Sequence, residues 1–85
     1  MQEVVSEEKF LAELEELARE NAPRVFALCS EVGEREDGYA AYWGMAFDDG
    51  AEVVSTSGPM RGSFRSAESA LGRLSGRRNL HLVWI

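Results

Sequence analysis

Residues 39 to 50 constrain the fold more than any other segment. Tyr39, Ala41, Trp43, Met45 and Phe47 alternate with the smaller Ala40, Gly44 and Ala46, Tyr42 being the exception, and Asp48-Asp49-Gly50 follows. Alternation of this kind has the period of a strand, and the Asp-Asp-Gly punctuation predicts a hairpin. One face of the strand is bulky and the other thin. The turn reads either as a two-residue Asp49-Gly50 loop or as a three-residue loop with a left-handed Gly50. The two readings shift the return strand, Ala51 to Thr56, by one residue, so that either Val53 or Val54 faces the core.

The flanking segments supply the other elements. Ser6 is placed to cap a helix whose first turn carries Glu7 and Glu8, where negative charge favours the positive end of the helix dipole. Phe10, Leu11, Leu14, Leu17 and Ala18 form its apolar stripe, and Pro23 marks its end. Arg24 to Val32 is apolar on both faces, as an interior strand is. The glycine-bracketed polar segment Gly33 to Gly38 predicts a tight connection back into the hairpin. Gly58 to Arg65 has the composition of a loop. Ser66 then caps a short helix with a narrow stripe of Ala67, Ala70, Leu71 and Leu74, stopped by Gly76. Leu80 to Ile85 is a last strand.

The predicted order is therefore α-β-β-β-α-β in one domain, residues 1–85, with room for a single core. A three-stranded meander followed by a helical crossover returns the fourth strand beside the first and parallel to it, in sheet order 4-1-2-3. Both helices would cover the face carrying Phe26, Leu28, Trp43, Met45, Phe47, Leu82 and Trp84. The expected fold class is an α+β two-layer sandwich, a mostly antiparallel four-stranded sheet with two helices on one face. The order of the first five elements is similar to that of the double-stranded RNA-binding domain. That family begins its second helix with lysines, whereas this chain has Ser66-Ala67-Glu68-Ser69-Ala70 and an acidic first helix. The likeness is one of topology alone.

Several classes of chemistry are disfavoured. Cys29 is the sole cysteine and His81 the sole histidine, so neither a disulfide framework nor a multi-ligand Cys or His metal centre can be built within one copy. No metal and no cofactor is expected. No nucleophile and base stand at recognisable spacing, so no catalytic residue is assigned and the chain is read as a non-enzyme. The apolar stretches are too short for a membrane span. The opening Met-Gln-Glu-Val-Val-Ser-Glu-Glu-Lys has neither a secretory nor a lipidation pattern, and the expected location is the cytoplasm.

Charge and apolar surface point to binding. Residues 1–57 carry 14 acidic and 4 basic side chains, residues 58–85 carry 1 and 5, and the net charge of −6 hides this division. The expected function is that of a small acidic, non-catalytic protein–protein interaction module of the regulator, antitoxin or immunity kind. It is expected to be homodimeric and able to engage a basic protein through its first helix. The interface candidates are Tyr42, His81, Val83 and Ile85, on a sheet face too apolar for water and a last strand without charge or proline to block pairing. The alternative is nucleic-acid or phosphate-ligand binding by Arg61, Arg65, Arg77 and Arg78, in loop 58–65 and the second helix, near a helix N-terminus that favours anions. A protein partner ranks ahead of nucleic acid, and no membrane partner is expected.

Overall fold

The computed structural model describes residues 6–76 and 78–85. Two helices and five strands follow in the order α1 (Glu7–Glu20), β1 (Arg24–Val32), β2 (Asp37–Phe47), β3 (Gly50–Ser55), β4 (Arg61–Phe64), α2 (Ala67–Ser75) and β5 (Leu80–Trp84). The sheet order is β4-β3-β2-β1-β5, and every neighbouring pair is antiparallel.

The α+β class and the placement of 80–84 beside 24–32 agree with the sequence pattern. The strand count and one direction do not. Residues 61–64, read as loop, form a fourth meander strand paired with β3 through Ala51↔Phe64 and Val54↔Arg61. That extra reversal turns the chain once more before α2, so the crossover delivers β5 antiparallel to β1 instead of parallel. With β4 added, the likeness to the RNA-binding topology ends after the third strand.

Both helix starts behave as their caps dictate. The Lys9 N–H donates to Ser6 Oγ at 3.2 Å and the Ser69 N–H to Ser66 Oγ at 3.0 Å, satisfying amides that the first helical turn leaves free. Gly76, at φ 47°, closes α2 with a backbone angle that suits glycine.

The core lies between α2 and one face of the sheet. Phe26, Leu28 and Val53 are its fully buried large side chains, and Ala41, Ala51, Ala67, Ala70 and Leu80 complete it. The two helical alanines let α2 approach the sheet closely. Trp84 meets Phe26 edge-on at 5.4 Å between ring centroids, and Arg24 lies 4.2 Å above the Trp84 ring, an arrangement in which the ring quadrupole attracts the guanidinium.

The hairpin register follows from Phe26. The turn is a two-residue Asp48-Asp49 loop closed by Phe47↔Gly50, neither of the two loops expected, and Gly44 pairs with both Phe26 and Val53. A Cβ at Gly44 would sit 2.2 Å from Phe26 Cζ, so the ring occupies the space above the glycine. The thin side of β2 therefore faces the core, and Val53, not Val54, points inward.

A bulge explains why the alternation misleads. The β1–β2 register shifts between Leu28 and Cys29, which pair with Tyr42 and Ala40 and leave Ala41 as the extra residue. Thr56 secures this point, its N–H donating to Ala41 O at 3.0 Å and its hydroxyl lying 2.8 Å from Ala40 O and 3.0 Å from Ala41 O. Ala41 and Tyr42 both pack toward the core, and beyond the bulge the bulky residues emerge on the other side. Trp43, Met45 and Phe47, expected beneath helices, are 43–44% exposed.

α1 does not cover the sheet. None of its residues is buried, and Phe10, Leu11, Leu14 and Leu17 are each between 42% and 56% exposed. The radius of gyration is 18.2 Å and the longest dimension 67 Å, against about 12 Å for the radius of a compact chain of this length. The helix extends from the sheet as an arm.

Candidate interaction surface

The face of the sheet opposite α2 is built by register. Val25, Met45 and Glu52 lie opposite one another on β1, β2 and β3, and Val83, Ala27, Trp43, Val54 and Arg61 make a second row across all five strands. Val25, Trp43, Met45, Val54 and Val83 are each 40–44% exposed. An antiparallel sheet with one solvated face normally alternates apolar in and polar out. Here both faces are apolar. A shallow groove of about 380 Å³ runs along this surface, lined by Val25, Trp43, Met45, Val54, Glu52 and Arg61. Its rim is polar: Glu52 accepts from the Ser63 hydroxyl at 2.7 and 2.9 Å. At the β5 side His81 Nε2 lies within hydrogen-bond distance of Glu31 Oε1, at 3.0 Å.

The four interface candidates divide between the two faces. Val83 and His81 lie on the open face, and the exposed Ile85 continues β5, donating its N–H to Val25 O at 3.0 Å. Tyr42, expected beside them, packs against the core because of the bulge. Sequence reasoning missed Trp43, Met45 and Val54. The signal was Gly44, since a glycine opposite a phenylalanine fixes which side of β2 can accept the ring. Cys29 is a free, half-buried thiol on the open side.

The candidate anion-binding arginines are not gathered at one place. Arg61 belongs to the apolar groove. Arg65 joins Arg73 in a polar depression of about 490 Å³ with Ser63, Ser69 and Asp49. Arg78 stands past the far end of α2, its N–H donating to Ser75 O, and Arg77 lies outside the described residues. Among the described residues no group of His, Cys, Asp or Glu is arranged to hold a metal ion, and no helix is long and apolar enough to cross a membrane.

No family model, curated protein or solved structure matches the chain.

Proposed function

We propose that the chain is a non-catalytic protein–protein interaction module that works as a homodimer through the open sheet face, leaving the acidic side of α1 to meet a basic protein partner. The reading rests on one observation: this small domain covers a single face of its sheet and leaves Trp43, Met45, Val54 and Val83 on the other. Contiguous apolar patches of more than a few hundred Å² on a monomer mark interaction surfaces. A regulator, antitoxin or immunity protein has this physical profile, and a cytoplasmic location suits the reduced, unpaired Cys29.

The test is the Val83→Glu variant. Val83 lies on the open face away from α2, so the charge enters solvent in a monomer and a desolvated interface in a dimer. The expected result is a fall in molar mass from twice 9.4 kDa to 9.4 kDa with unchanged far-ultraviolet circular dichroism. An unchanged mass counts against the interface.

The second reading is anion or nucleic-acid binding, which the polar depression supports by placing Arg65 and Arg73 beside Ser63 and Ser69. Arginines that neutralise phosphates give affinity that falls steeply with salt. Binding of a single-stranded oligonucleotide should then weaken with added salt and be lost in Arg65→Ala plus Arg73→Ala. Salt-insensitive binding, or none, rejects it.

A further inference from the structure

We infer that the occupant of the open sheet face is α1 of a second copy, the two chains exchanging their helical arms reciprocally. The inference rests on the dimeric reading above and names the contact that makes it. An isolated helix of this length is marginal in water, so α1 gains its stability by seating its stripe on something apolar. The last turn before the joint to β1 closes on its own carbonyls and not on the sheet. Asn21 donates its N–H to Leu17 O at 3.1 Å and its side-chain amide to the same oxygen at 2.8 Å, the Ala22 N–H reaches Arg19 O, and Pro23 fixes the next backbone angle.

The arm and the open face match in size. The stripe from Phe10 to Leu17 spans about 10 Å of helix, and Trp43 to Phe47 spans about 13 Å of strand. Side chains of roughly 150–250 Å², about half-exposed on both the stripe and the open face, together present on the order of 800 Å² per copy. That is the area each partner contributes to a stable dimer of ordinary size, about 800 Å². Charge agrees with this seating. Glu8 and Glu15 flank the stripe on one side and Glu13 and Glu20 on the other, and one of them can meet Arg61, which has no ion-pair partner among the described residues, while Glu52 on the same rim is held by the Ser63 hydroxyl. Each copy carries both the arm and the seat, so two copies close the arrangement by a two-fold axis.

The experiment uses two full-length double variants. One blocks the arm, Leu14→Glu plus Leu17→Glu; the other blocks the seat, Trp43→Glu plus Met45→Glu. Light scattering should find the wild type dimeric and each variant alone monomeric. An equimolar mixture should regain a dimer, because the seat of the first chain accepts the arm of the second. With one contact in place of two, its dissociation constant should exceed that of the wild type by at least about tenfold. If the seat-blocked chain loses its sheet signal in circular dichroism, Val54→Lys on the same face replaces it. A wild type that is monomeric overturns both the dimer and the exchange. A dimer that persists in the arm-blocked chain overturns the exchange and leaves a dimer built by the sheet face or β5. A mixture that stays monomeric, or a wild type that grows into open-ended polymers, overturns reciprocal exchange.

Discussion

Gly44→Val should be among the most damaging single substitutions in the sheet, with a marked loss of stability. Even a Cβ at this position would lie 2.2 Å from Phe26 Cζ and 2.6 Å from Cε1 and Cε2, and valine adds two further methyl groups. The ring cannot retreat, since Phe26 is fully buried with Trp84 edge-on against it. Overpacking a well-filled core costs about 1–3 kcal/mol and sometimes more, a large share of the roughly 5–15 kcal/mol by which a domain is stable. Urea titration at fixed protein concentration measures the loss. A companion pair, Gly44→Ala with and without Phe26→Leu, identifies its cause: the double variant should recover part of the alanine penalty, and strictly additive effects would show that the clash lies elsewhere.

Phe26→Ala should cost about 3–5 kcal/mol, as truncating a large buried aromatic does. For a chain of this size each kcal/mol lowers the melting temperature by roughly 4–8 °C, so the transition should fall by more than about 10 °C. The cost is high because few large side chains share the work. Among the described residues only Leu28 and Val53 are, beside Phe26, large and fully buried, and alanines make up much of the remaining core. Loss of Phe26 also removes the edge contact that holds Trp84 beneath Arg24. The near-ultraviolet circular dichroism from Trp84 should collapse with the melting curve. A melting temperature within a few degrees of wild type would mean that the core closes around the missing ring.

Much of the fold is legible in the sequence because its signals are local. Ser6 and Ser66 bound the helices through their hydroxyls and Pro23 and Gly76 through their backbones, and the interior character of 24–32 needs no distant contact to be read. What is not legible depends on pairs far apart in the chain. Arg61 to Phe64 has the glycine and serine content of a loop, yet Gly62 sits in a strand where a Cβ would meet the Phe64 ring at 2.9 Å. The side on which Trp43 emerges depends on a bulge held by Thr56, 15 residues downstream. The apolar stripe of α1 predicts a helix packed on its own sheet, yet Phe10, Leu11, Leu14 and Leu17 all stay exposed. The alternation of β5 alone puts Val83 and His81 on the open face, whereas Tyr42, beside the bulge, lies on the other side of β2 from the one its alternation predicts.

The position of β1 between β2 and β5 divides the sheet by the order in which its pairings can form. β1 through β4 are joined by short reversals, so each pairing closes a small loop of chain and can zip from its turn. β5 reaches β1 only across the whole meander and α2, joining Phe26 to Trp84. Loop-closure entropy must be met before such a contact returns any energy, which makes distant strand pairings slow relative to local ones. The meander is thus a scaffold assembled early, and β5 is its keystone. Until that strand arrives, one edge of β1 lies open beside Phe26 and Leu28, and it is in this interval, more than in the finished fold, that the chain is exposed to mispairing with its neighbours.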